Sequence, residues 1–385
     1  MKFYIKKKIG LTLTAFIVIN LLITCRNDNN FENSKMVLSL DESAFQKIKQ
    51  KRLHALEKKL LVKNKSDYVF GTLKHNNKEI KVKARLKGDH IDHLEGNRWS
   101  FRIIALEDYI LNHKKISIQG VHTRGYMTEW IFHKLLMQEG LIYLQYDFFH
   151  FCVNDTLCGI YAFESHFDNY LLKMSNREFG PIMKFDETDF WDYSKYSGVK
   201  NRDDLLMINS KIKLTNKDWS KKHGVEVNIA KSLIDDFRNG RLLCNEVFDL
   251  DLWARFIAIN ELMAGDHALR WHNLRFYYNP LSKKIEPIGF DCGSWMEKNK
   301  SIFYHNDQIE LFHQLMLRDS TYIKLIKKEL TRITNKEYME KFFLEHKHEL
   351  FDKENLIKLE KPNYKFWESS FYHSQQRIKN FLNMK

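Results

Sequence analysis

The sequence predicts an α+β fold. Three observations carry that prediction. Two strand–turn–strand patterns stand at 69–86 and 146–163, a long apolar-faced helix over 249–264 runs toward another strand pair, and helical stretches fill the chain from 307 onward. Core material is ample, with twenty-eight Phe and seventeen Tyr in 385 residues.

In chain order, residues 41–60 predict a helix, because Phe45, Ile48, Leu53, Leu56 and Leu60 recur at roughly helical spacing among Lys, Glu and Gln. Segments 69–73 and 80–86 flank the turn-like 74–77 and predict a hairpin. Strands are expected at 100–104 and 116–118. A helix is expected over 128–139, with Thr128 as its N-cap and Gly140 as its stop. Segments 146–153 and 159–163 around Asn154-Asp155 predict a second hairpin. Residues 205–240 predict irregular helix. Asp249 is placed to cap the next helix, whose Leu252, Phe256, Ile259 and Met263 share one face. Strands at 274–278 and 285–290 then flank Asn279-Pro280, and a helical cap closes the chain.

Four prolines and the lack of a Pro/Gly/Ser-rich linker predict one catalytic-sized domain over 67–385, preceded by a polar linker and helix at 26–66. Residues 1–25 read as a signal peptide or a lipoprotein or membrane anchor. Lys2 and Lys6–Lys8 precede an uncharged run over 9–24, and Cys25 follows. That layout predicts a location outside the cytoplasm, anchored at the membrane through this segment alone or secreted. The net charge of +13 points to an ordinary basic surface or an acidic partner. No zinc finger, glycine-rich RNA motif or basic recognition helix is present, so nucleic acid is excluded as the expected partner. Cys152, Cys158, Cys244 and Cys292 have no metal-site spacing. They are read as small buried hydrophobes, although Cys152 and Cys158 could face each other across a hairpin.

Several short motifs occur in order. They are Arg85-Leu86-Lys87-Gly88-Asp89, Trp99-Ser100-Phe101-Arg102, Glu129-Trp130-Ile131-Phe132-His133, Gly159-Ile160-Tyr161-Ala162-Phe163-Glu164 and Pro181-Ile182-Met183-Lys184-Phe185-Asp186-Glu187. Gly265-Asp266-His267, His272-Asn273 and Pro287-Ile288-Gly289-Phe290-Asp291 follow. The series resembles the spore-coat CotH-like family of atypical protein kinases over about residues 41–385. The resemblance implies a divergent protein-kinase-like fold with antiparallel hairpins and a helical C-terminal part. It also implies ATP- and Mg²⁺- or Mn²⁺-dependent transfer of a phosphoryl group to Ser/Thr of a protein substrate. By that resemblance Asp266 is the catalytic carboxylate and Asp291 a metal-binding aspartate.

The residues themselves support parts of this. Phosphoryl transfer needs positioned carboxylates, oxygen ligands for a hard cation, and cationic side chains near the phosphates. Asn273 precedes a strand and is placed as a neutral metal ligand beside Asp291. The strand pair between them can fold back as a hairpin. Lys184 stands in an apolar run and therefore wants an anion, either a nucleotide phosphate or Glu164. Arg85, Lys87, Arg102 and Arg124 are further candidates for phosphate contacts. His267 is placed to orient Asp266. The alternative functions are a non-catalytic binding or assembly protein on the same scaffold, or a kinase acting on a glycan hydroxyl.

Overall fold

The computed structural model describes residues 35–76, 78–88, 91–190, 203–293 and 309–383. The leader expected over 1–25, and Asp89 of the first motif, lie outside the described residues.

The described residues begin with β1 (Lys35–Ser39) and α1 (Glu42–Lys58), the helix expected over 41–60. The Asp41 carboxylate caps it by accepting from the Ala44 N–H at 2.7 Å. Strands β2 (Val69–His75), β3 (Lys78–Leu86) and β4 (Phe101–Ala105) follow. After β5 (Lys115–Gly120) and α2 (Met127–Gln138) come β6 (Tyr146–Val153), β7 (Leu157–Glu164), α3 (Asn169–Met174) and β8 (Ile182–Phe185). Next are α4 (Asp203–Asn209), β9 (Ile212–Leu214), α5 (Lys217–Ser220), α6 (Gly224–Arg238), α7 (Cys244–Val247) and α8 (Leu250–Met263). Strands β10 (Arg275–Asn279) and β11 (Lys284–Ile288) precede α9 (Leu311–Met316), α10 (Ser320–Ile333), α11 (Lys336–Glu345), α12 (Lys347–Lys358) and α13 (Ser369–Asn383). The architecture is α+β, with antiparallel and mixed sheet and a helical C-terminal segment.

Two compact units form. The first comprises residues up to Ile110 together with Phe149–Tyr161, and the second Leu111–Phe148 together with Ala162 onward.

In the first unit β2, β3 and β4 are antiparallel neighbours, and β1 pairs antiparallel with β2 and parallel with β6. Strand β3 alternates strictly. Ile80, Val82, Ala84 and Leu86 are buried, while Lys81, Lys83 and Arg85 point the other way. Asn154 and Asp155 both take positive φ, which is the geometry of a tight hairpin turn. The Asn154 amide also pins the chain before α1, accepting from the Leu40 N–H and donating to the Leu40 carbonyl, each at 2.7 Å. Cys152 and Cys158 are joined as a disulfide across this turn. Their reading as small buried thiols is corrected, because the tight turn brings the two side chains together.

In the second unit β11, β10, β8 and β9 form a four-stranded antiparallel sheet in that order. Helix α8 lies almost wholly inside, with Trp253, Phe256, Ile257 and Ile259 at 1% exposure or less. The Asp249 carboxylate caps it, accepting from the Leu252 N–H at 3.1 Å. The expected cap of α2 is corrected. Tyr126, at φ 59°, precedes Met127, and no side chain caps the helix. Gly140 does stop α2, at φ 68°.

Among the described residues no helix is long and apolar enough to cross a membrane. The expected membrane-anchored placement is corrected to that extent: no described helix supplies a span.

Candidate functional site

The hairpin of β10 and β11 decides what meets what in the second unit. Its register sets Arg275 opposite Ile288, so Asn273 before β10 and Asp291 after β11 return to the same end. Helix α8 ends beside them, at Ala264 in a left-handed conformation, and releases Gly265 and Asp266. His267 is the junction of the three expected residues. It follows Asp266, its Nδ1 lies 3.1 Å from Asp291 Oδ1, and its carbonyl accepts from Asn273 Nδ2 at 3.1 Å. The expectation that His267 orients Asp266 is therefore replaced: its ring engages Asp291.

Asp291 is buried, at 5% exposure, with φ 57°. Arg124 Nη1 lies 2.6 Å from its Oδ1. Arg124 precedes α2, and Glu129 on α2 grips the same loop from the backbone side. The Asp291 and Cys292 N–H groups donate to Glu129 Oε1 and Oε2, each at 2.9 Å. His133, one helical turn on, places Nε2 3.4 Å from Glu129 Oε1, and its Nδ1 accepts from the Leu144 N–H at 3.2 Å. Glu164 is buried on β7 and accepts from Ser117 Oγ at 3.1 Å and Gln119 Nε2 at 3.2 Å. Arg124 Nε is 4.0 Å from its Oε2.

The electrostatics follow from burial and neighbours. Burial alone would lower the Arg124 pKa, but the charges of Asp291, Glu164 and Glu129 outweigh it and hold the guanidinium above its ordinary value. Burial would likewise lower His267, yet its hydrogen bond to Asp291 and that carboxylate's charge raise it.

A second group of charges sits on β8 and β10. Lys184 is in register with Arg275 on the neighbouring strand. The Lys184 ammonium donates to Glu187, three residues further along. Glu164 is thus not its partner, and that alternative is corrected. Arg275 is buried, with Nη1 donating to the His272 and Leu274 carbonyls, each at 2.9 Å. Its guanidinium lies 4.8 Å from the Phe290 ring centre. Burial and Arg275 lower the Lys184 pKa, while Glu187 partly restores it. Burial would raise Glu187, but Lys184 and Arg275 outweigh it and hold the carboxyl low. Burial drives His272 down to about 4. Its ring stacks on Phe190 at 4.4 Å.

The remaining expected phosphate contacts belong to the first unit. Arg85 on β3 is in register with Arg102 on β4, and it donates to the Leu86 carbonyl at 2.7 Å. Lys87 is buried. Gly88, at φ 109°, gives close approach to the His93 ring, where a Cβ would collide.

Sequence reasoning missed the roles of Glu129, His133, Glu187 and Arg275. Arg275 was detectable by the argument applied to Lys184, since it too is a charge within an apolar strand. Nothing in the sequence marks Glu129 as a ligand of backbone 162 residues away.

Among the described residues no group of three or more His, Cys, Asp and Glu is gathered as a metal cluster. Asp266, Asn273 and Asp291 offer hard oxygen donors, the type suited to Mg²⁺. Asp291 Oδ1 is nevertheless held by Arg124 and His267, and Asp266 Oδ2 lies 3.4 Å from Arg270 Nη2. A protein cation thus stands against one oxygen of each carboxylate, and a divalent ion bound there would have to compete with it.

No protein-family model matches the chain, and no curated protein matches it.

Proposed function

We propose that the chain is a non-catalytic binding or assembly protein built on a kinase-like scaffold. The carrying observation is that Asp291 and Lys184, expected to meet metal and phosphate, meet protein counter-charges instead. Asp291 faces Arg124 and His267, and Lys184 is closed on Glu187. Such internally matched charges fix a loop in one arrangement and leave little uncompensated field for a reacting phosphate.

One observation favours metal-dependent phosphoryl transfer as a second reading. His267 gathers Asp266, Asn273 and Asp291 at one end of the β10–β11 hairpin. Use of these residues in transfer requires Arg124 to leave Asp291.

A single experiment separates the two. Full-length protein, with Asp266→Ala and Asp291→Ala variants, is incubated with γ-labelled ATP and Mg²⁺ or Mn²⁺. A generic basic protein is offered as acceptor. The binding-protein reading expects no incorporation into the chain or the acceptor. Incorporation by the wild type that vanishes in both variants would replace it with the phosphotransferase reading.

A further inference from the structure

We infer that Glu129 is the positioning residue of the Asp291 loop, setting from α2 the backbone conformation that presents Asp291 to Arg124. The inference rests on reading this charge cluster as the functional part of the second unit.

Three contacts from one stretch of chain converge on residues 289–292. Glu129, His133 and Leu136 are spaced i, i+4 and i+7, so they share a face of α2. Leu136 packs so tightly on Gly289 that a Cβ there would collide with Leu136 Cδ1. Two turns earlier, Glu129 uses both carboxylate oxygens on two successive backbone N–H groups. Arg124, just before the helix, takes the Asp291 side chain.

The backbone contact matters because Asp291 sits in the left-handed region, at φ 57°. A residue with a Cβ adopts that conformation at a cost, so something must hold it there. Glu129 is 1% exposed, and its carboxylate holds two N–H groups on consecutive residues. Beside it, His133 Nδ1 accepts from the Leu144 N–H, and its Nε2 lies 3.4 Å from Glu129 Oε1. Glutamine fills the same volume but has one acceptor oxygen. Its NH₂ would face an N–H donor, leaving one buried amide unsatisfied.

The test uses full-length protein labelled with ¹⁵N at arginine. The Arg124 Nη–H resonance, assigned by its absence in Arg124→Lys, reports whether the guanidinium is held on Asp291. We expect a sharp, slowly exchanging signal in the wild type. In Glu129→Gln it should broaden beyond detection or exchange at least tenfold faster, while thermal unfolding stays cooperative. Glu129→Asp, which keeps two acceptors on a shorter arm, should recover part of the protection. An unchanged Arg124 signal in folded Glu129→Gln would overturn the inference. Should Glu129→Gln not fold, Glu129→Asp decides: an Arg124 signal identical to wild type overturns the inference, and a partial loss of protection supports it. A parallel titration of the wild type with Mg²⁺–ATP bears on the functional reading alone, so the two can fail separately.

Discussion

Arg124 Nη1 lies 2.6 Å from Asp291 Oδ1, and the two side chains are only 11% and 7% exposed. Removing one member of so enclosed a pair strands the other charge. Arg124→Met should therefore destabilise the protein by about 3–5 kcal/mol. Asp291→Asn, which can still accept from Arg124, should cost less. Urea unfolding of the two single variants and the double variant would measure the coupling. Additive losses would mean that the pair does not act as a unit.

Lys184 and Arg275 are cross-strand neighbours of like charge, an arrangement that destabilises a sheet unless an anion lies between them. Glu187 supplies that anion. Glu187→Gln should lower stability by about 1–3 kcal/mol, and Lys184→Met in the same chain should restore part of it. The variant should also gain an affinity for small anions. Sulfate is expected to raise its melting temperature more than it raises that of the wild type, as a thermal-shift series would show.

The periodic signals were legible in the sequence. The α+β class, the hairpins at 69–86 and 146–163, the Asp249-capped helix and the helical C-terminus all follow from period, turn chemistry and capping, which are local. The hairpin that returns Asp291 toward Asn273 was legible for the same reason. What stayed hidden depends on partners distant in sequence. Glu129 reads as one more acid on a helix until the fold lays it on residues 291 and 292. Lys184 announced a need for an anion, but only the turn after β8 shows that Glu187 answers it. β9 was missed because three residues with one buried apolar side chain carry no period.

The Cys152–Cys158 disulfide closes a short loop across the β6–β7 turn. In the chain-entropy view so short a loop contributes about 2 kcal/mol. A Cys152→Ser, Cys158→Ser chain should lose roughly that much stability. Alkylation in denaturant without reductant should label Cys244 and Cys292, which are free thiols, and spare Cys152 and Cys158 until reduction. Peptide mapping by mass spectrometry reads the outcome directly. Labelling of Cys152 before reduction would contradict the bond.

Two buried histidines give the protein a defined acid sensitivity. Burial drives both His272 and His313 from the ordinary 6.5 down to about 4. In the folded chain they stay neutral at pH 5, where the unfolded chain has already protonated them. At these two sites the unfolded state thus binds more protons between about pH 4 and 6.5, so their contribution to stability rises with pH across that window. The full contribution is present above pH 6.5 and is lost progressively toward pH 4, on the order of 3 kcal/mol for each histidine. His313 Nε2 donates to the Leu269 carbonyl at 2.8 Å, a bond that raises its pKa against the larger effect of burial. His313→Gln keeps a donor without a titrating group and should flatten the slope by about half. Urea unfolding at pH 5 and pH 7 tests this: the wild type should lose several kcal/mol at the lower pH, and the variant distinctly less. Equal losses in both chains would place the acid sensitivity elsewhere.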